Sequence, residues 1–393
     1  DLDNLEWAFQ KANQTAIVKQ LKQQRRMTSA TNDVYDANVD VSECGRIIVV
    51  GGGIGGAALA VSLQKKGFDV IVLESDASFD SRAQGYGLTV QATDAMQAMG
   101  VDISGDDAPS TSHYTFSNEG EIIGFFGEAF GVKSKDRQEM QNSGRFIHIP
   151  RQVLRQRILE AVRPDTIRWS SKLKSYDDSE KDRVTVTLMD DTKIEGALLI
   201  GSDGIFSTVR RQLELPGDRL NYVGLCVVLG IVDDEILEIP LAKRRIFETV
   251  DGTTRIYAMP FTIKSTMWQL SFPCSEETAR MYTKDAATLK AEITRRCAKW
   301  HDPIPEMLTK TPLKCMSGYP VYDRELLETE VLRPKQSISR RVTIIGDAAH
   351  PMTPFKAQGA NQAISDAVLL ANALVEGVGK RGPVDGFNYA LPL

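Results

Sequence analysis

The residues in this chain best placed to do chemistry are glycines and acids at the ends of apolar runs. In VVGGGIGGAALA, Gly51, Gly53 and Gly56 stand in the G-x-G-x-x-G spacing, with Ile54 and Gly55 between the last two. Gly51 permits a tight turn, Gly53 lets the backbone approach a pyrophosphate, and Gly56 lets a helix pack closely on the preceding strand. The helix that starts there turns N–H groups and the positive end of its dipole toward phosphate oxygens. Glu74, followed by Ser75, ends the next apolar run, DVIVLE. A carboxylate at that point accepts both hydroxyls of an adenosine ribose and repels a 2′-phosphate. Alone, the glycine motif is common. Between a β-branched run, RIIVV, and a helix, strand and terminal Glu, it specifies a dinucleotide cofactor.

Two further joints have the same character. LLIGSDGIFSTVRRQL carries Asp203-Gly204, with Ser207 and Arg210 on the next turn. By itself an Asp-Gly pair reads first as a plain turn. VTIIGDAAHPMTPFKAQGANQAISDA runs from an apolar strand into Gly346-Asp347, through Pro354 and Phe355, and into a helix near Gly359, Ala360 and Asn361. Asp347 can accept a hydrogen bond from a sugar hydroxyl. The helix N-terminus near Gly359 points positive charge at the loop and suits an anionic reduced flavin. His350 either lies by the reacting ring or braces the loop. His113, His148 and His301 are isolated and read as structural. The sequence assembles no metal-ligand cluster and no nucleophilic triad.

The elements that must hold these residues begin with a βαβ unit from Arg46. RIIVV has the composition of a parallel strand buried on both faces. The middle of the chain, with RVTVTLMD, LCVVLGIV, TRIYAMPF and TMWQLSFP, predicts a mostly antiparallel sheet inserted before the last strand, RRVTIIGD. The expected class is α/β: a Rossmann-like domain with an inserted β-sheet domain. Residues 1–26 predict an amphipathic helix, followed by a polar linker, and this helix either packs on the body or binds a partner.

With 393 residues, the chain is too long for one simple core. Its net charge of −5 argues against nucleic acid as a partner. Cys44, Cys226, Cys274, Cys297 and Cys315 are scattered and fit neither a zinc site nor a disulfide framework, which predicts a reducing, cytoplasmic setting. No apolar run approaches the about 20 residues of a membrane span, and no signal-peptide core opens the chain.

The three joints, in this order, resemble the class A flavoprotein monooxygenases, the para-hydroxybenzoate hydroxylase-like aromatic hydroxylases. The last joint is also similar to that of the tetracycline-inactivating monooxygenases. The resemblance runs from about Arg46 to Leu374. It implies that the glycine motif with Glu74 and Ser75 binds the ADP half of FAD. Asp203-Gly204 would serve FAD and NAD(P)H, and Gly346-Asp347 the ribityl and pyrophosphate. Two shorter matches imply further FAD contacts: Arg82 ahead of GYGLTV, and Arg151 leading IPRQVLRQRIL. The implied domains are an N-terminal helix and linker (1–44), an FAD-binding domain (45–215 and 318–393), and a substrate domain (216–317) whose sheet draws in part on 80–150.

The implied activity is hydroxylation of a small aromatic or conjugated molecule, using NADPH or NADH transiently and O2, through a C4a-hydroperoxyflavin. The apolar pocket this needs would be lined from Phe261, Met267, Trp268, Leu270, Phe272, Tyr319, Pro354 and Phe355. The chain departs from the pattern at Ala357, where relatives carry Gly, in stopping at Leu393 where relatives continue into a long helix, and in its extra N-terminal helix. Alternatives on the same scaffold are an oxidase, an epoxidase, an isoprenoid reductase, a flavoprotein disabled by Ala357, or a non-catalytic carrier without flavin.

Overall fold

The computed structural model describes residues 39–81, 85–127, 146–243, 245–325 and 341–390. The helix expected over 1–26 and the expected cofactor residue Arg82 lie outside the described residues.

Five short strands form a wholly parallel sheet in the order β17 (Val342–Ile344), β11 (Leu198–Gly201), β1 (Ile47–Val50), β2 (Val70–Leu73), β7 (Ile167–Arg168). The run IIVV is apolar throughout because both its faces are covered. Ile47 and Val49 join a core with helices α1 (Ile54–Lys65), α3 (Arg151–Glu160) and α8 (Gly359–Ala390), while Ile48 and Val50 pack on the other side. That other side is closed by a three-stranded antiparallel sheet of β8 (Leu173–Asp177), β9 (Val184–Leu188) and β10 (Lys193–Gly196). Helix α8 breaks its geometry at Gly382 (φ 80°), ahead of Pro383.

The larger sheet has seven strands in the order β16 (Met316–Arg324), β12 (Leu220–Asp233), β15 (Ser265–Pro273), β14 (Arg255–Thr262), β13 (Arg245–Val250), β4 (Ser112–Ser117), β5 (Ile122–Gly127). Its pairings are antiparallel except β13 with β4. Two strands come from 112–127, ahead of the expected insertion. One, β16, runs past residue 317 into what the sequence assigned to the other domain. A two-stranded ribbon, β3 (Gly87–Val90) with β6 (Ile147–Pro150), leads into α3.

Side chains alternate across a strand, so the large sheet has two different faces. Phe247, Ile256, Ala258, Trp268, Leu270 and Phe272 pack under helices α5 (Glu276–Lys284), α6 (Ala286–Arg296) and α7 (Ile304–Lys310). The opposite face carries Val227, Ile246, Met259, Phe261, Met267 and Val321. Helix α2 (Thr93–Met99) and the short α4 (Thr208–Gln212) complete the framework.

Candidate functional site

The carboxyl ends of β1, β2 and β11 and the N-terminal ends of α1 and α8 surround a polar cavity of about 460 Å³. Gly51, at φ 101°, makes the turn out of β1; a Cβ there would stand 2.4 Å from the Ser202 carbonyl oxygen. A Cβ on Gly56 would stand 1.9 Å from the Gly51 oxygen, so the helix can lie this close only without one. A Cβ on Gly53 would meet nothing within 4 Å, which leaves the start of α1 open to the cavity. Gly53, Ile54 and Gly55 all line it.

Glu74 forms part of the wall and is 2% exposed. Its Oε2 accepts from the Gly52 N–H at 2.8 Å, and its Oε1 accepts from the Ser75 hydroxyl and the Asp76 N–H, each at 3.0 Å. Arg155, not singled out from the sequence, holds it from behind. Its Nη2 lies 3.6 Å from Glu74 Oε2, its Nε donates to the Gly52 carbonyl at 2.8 Å, and its guanidinium lies over the rings of Phe79 and Trp169. The signal was present: Arg155 follows Arg151 by one helical turn in IPRQVLRQRIL, so both lie on one face of α3.

Asp203 also lines this cavity, but its carboxylate is engaged inward. It accepts from the Ser207 hydroxyl at 2.5 Å and the Thr208 N–H at 2.7 Å, holding the start of α4. Burial raises its pKa above the ordinary value, against the lowering pull of those donors. Arg210 ties α4 to the Gly346 loop by donating to the Ala348 carbonyl at 2.9 Å and to that of Ala349. It also pairs with Asp218, which Arg324 of β16 meets at 2.8 Å. This triad, with Arg210 buried and Asp218 and Arg324 partly buried, fastens the parallel sheet to the seven-stranded one.

A second cavity of about 580 Å³ lies over the open face of the large sheet. Tyr86, Phe206, Asp347, Gly359 and Ala360 line both cavities, so the two meet there. Tyr86 is one of the side chains shared by both cavities. Burial raises the pKa of its hydroxyl, while the charge of Arg151 and a hydrogen bond with it act the other way. Burial likewise raises the pKa of Asp347, and His350 and Arg151 oppose the shift.

Met267, Tyr319, Pro354 and Phe355 line the second cavity as expected residues. Trp268, Leu270 and Phe272 do not, which corrects the sequence expectation: they sit on the other face of β15 within the core under α5 to α7. Trp268 there donates to Thr311 Oγ1 at 2.9 Å. A run buried without a break, as in β15 from Ser265 to Phe272, gives no clue to which parity faces a ligand. Phe261 packs with Met259 and Met267 beneath the cavity floor without lining it. Residues the sequence reading missed are Arg255, Tyr257, Met259 and Gln269, with His113, which it took as structural.

The Asn361 side chain is engaged within the fold. It lines neither cavity. Its Oδ1 accepts from the Gln91 and Ala92 N–H groups at 2.7 and 3.1 Å, and its Nδ2 donates to the Thr89 and Ala357 carbonyls at 2.9 and 3.1 Å. With that capacity spent, it clamps α8 to β3. His350 also lines neither cavity. Its Nε2 lies 2.7 Å from Asp366 Oδ2, which also accepts from the Gly346 N–H at 2.9 Å. Of its two candidate roles, the geometry has it bracing the loop. His148 is buried between Thr89 and Ser110, and burial holds its pKa down to about 4. Ala357 occupies the left-handed region, φ 51° and ψ 29°, which favours glycine.

A family model described as an FAD binding domain matches residues 45–386. The aurachin C monooxygenase/isomerase of Stigmatella aurantiaca is 28% identical over 331 residues, covering 84% of this chain and 80% of that protein. The chloroplastic zeaxanthin epoxidase of Nicotiana plumbaginifolia is 29% identical over 332 residues, 83% of this chain; the alignment spans 48% of the epoxidase. Among solved structures, Klebsiella pneumoniae HpxO complexed with FAD and uric acid shares the fold, with a TM-score of 0.72 at 23% identity over 90% of this chain and 83% of that one. The chain belongs to the FAD binding domain family, among the class A FAD-dependent monooxygenases.

Proposed function

We propose that this FAD-dependent monooxygenase uses NADPH or NADH with O2 to hydroxylate a small aromatic or conjugated molecule. The observation that carries the reading is the meeting of a polar cavity with an apolar one at Tyr86, Asp347 and Gly359. The first has the donors, acid and open glycines that the ADP half of FAD requires; the second can take a ring.

Gly51, Gly53, Ile54, Gly55 and Gly56 would bring backbone N–H groups and the α1 dipole to the pyrophosphate. Glu74, positioned by Arg155, Ser75 and Gly52, would accept the ribose hydroxyls through its remaining lone pairs. Arg151 and Asp203-Gly204 would border the cofactor's middle, and Gly346-Asp347 its ribityl chain. The N–H groups at Gly359 and Ala360, with Pro354 alongside, would face the ring where negative charge develops. FAD, held by these residues, would supply the redox chemistry of hydride acceptance and oxygen activation. The chain keeps water from that chemistry with Met259, Met267, Tyr319, Met352 and Phe355 on the cavity wall. Tyr257 stays protonated and able to donate, because burial pushes its pKa up to about 12.

The likeness to zeaxanthin epoxidases supports a second reading on the same site, transfer of oxygen to an electron-rich double bond. Cytoplasmic residence is proposed on the cysteine usage noted above. No helix among the described residues is long and apolar enough to cross a membrane.

The test is the visible spectrum after FAD addition, then NADPH and NADH oxidation with and without phenols, quinones and tetracyclines. The expected result is bound flavin, oxidation accelerated by one compound, and a product heavier by one oxygen. An epoxide would select the second reading. Failure to bind FAD would overturn both.

A further inference from the structure

Among the described residues lining the second cavity, Arg255 is the one cation and Asp347 the one acid. Arg255 does not face the cavity as a free charge. Its Nε donates to Glu248 Oε2 at 2.6 Å, and its Nη2 makes a closer contact with the same oxygen. Strand register explains the pair. Glu248 of β13 stands opposite Tyr257 of β14, so Arg255, two residues before Tyr257 on the same face, is its diagonal neighbour. His113 lies beside Ile246 on β4, within the influence of both charges. Burial lowers its pKa, Glu248 pulls upward and Arg255 downward, and the balance keeps the ring neutral. Its Nε2 is buried and has no hydrogen-bond partner. Gln269 and Tyr257 complete this end of the cavity.

We propose that Glu248 determines the substrate class: by neutralising Arg255, it makes the second cavity select uncharged ring compounds bearing a hydroxyl or carbonyl group and reject carboxylates. The proposal rests on the reading of this cavity as the substrate chamber. A carboxylate entering it would surrender hydration and find Arg255, the one cation among the described lining residues, already compensated. A hydroxyl or carbonyl gives up less hydration and finds neutral partners in His113, Gln269 and Tyr257.

Three probes of one shape decide it: 2-naphthol, 2-naphthoate and naphthalene, with affinities read by calorimetry on both FAD-loaded and flavin-free protein. The wild type should bind 2-naphthol at least about tenfold more tightly than 2-naphthoate. Glu248→Gln, nearly isosteric and still able to accept from Arg255, should raise 2-naphthoate affinity about tenfold. Arg255→Gln and the double variant should show no such gain, and His113→Phe should erase the advantage of 2-naphthol over naphthalene. Equal or tighter binding of 2-naphthoate to the wild type overturns the proposal, as does an unchanged ratio in Glu248→Gln. Loss of FAD binding would instead strike the functional reading, and the flavin-free arm keeps the two failures apart.

Discussion

Around the polar cavity the wall is largely backbone: turns at strand ends, the first turns of two helices, and a few ionic groups held rigid by Arg155 and Arg210. Around the apolar cavity the wall is side chains, drawn from one face of a sheet whose strands span residues 112–324, closed by the loop at Pro351–Phe355. At Gly51 and Gly56 the backbone around the polar cavity tolerates no side chain, because a Cβ would run into atoms already there. The apolar wall can be repacked, and specificity can be written there without disturbing the cofactor's seat.

The largest test of that contrast is Glu74→Ala. It strands the buried Arg155 and should cost about 3–5 kcal/mol of stability, with FAD affinity falling at least about tenfold from lost hydrogen bonds to a charged group. Chemical denaturation and flavin fluorescence titration read the two effects; unchanged FAD affinity would show that the carboxylate serves the fold alone. Next comes a pair of neighbours on β15. Trp268→Ala should cost about 3–5 kcal/mol yet leave ligand affinity of the folded protein unchanged, whereas Met267→Ala should alter ligand affinity. If both shift ligand binding alike, the two faces of the sheet are not separate in function.

Smaller effects probe the backbone wall. Gly56→Ala should destabilise by about 1–3 kcal/mol through overpacking against Gly51 and weaken FAD binding. Ala357→Gly should go the other way, adding about 1 kcal/mol by relieving the left-handed conformation, visible as a higher Tm. The smallest concerns pH. Burial disfavours protonated His350, but the Asp366 hydrogen bond and charge outweigh it and raise its pKa. A raised histidine stabilises fully below the unfolded pKa of about 6.5, and that contribution fades as pH rises through the folded pKa. The stability gap between wild type and Asp366→Asn should therefore narrow from pH 6 toward pH 9.

The same contrast decides what could be read in advance. The glycine motif, Glu74, and the joints at Asp203 and Asp347 are each local, with residue type and spacing in one stretch defining a turn and what borders it. The α/β class followed from them. The apolar cavity depends on register between strands that lie far apart in sequence. In TMWQLSFP the reading could find a buried strand but not its parity, so it chose Trp268, Leu270 and Phe272 together with Met267. The bonding of the Asn361 side chain was hidden for a related reason. Its position in a cofactor-type motif was plain, but its four partners lie partly on β3 and the turn after it, some 270 residues away. Glu248 and Arg255 gave no signal at all until β13 and β14 were paired.

The sheet order also bears on how the protein is made. β11 remains an outer strand until β17 arrives, and β12 until β16 arrives. A ribosome delivers both late strands only after residue 316 has been translated, so from the completion of β12 at Asp233 until then the nascent chain carries two unfinished sheets with bare edges. Exposed edges invite pairing with other chains. Slow translation, low growth temperature or a chaperone that shields strand edges should raise the soluble yield more than any change to the finished surface.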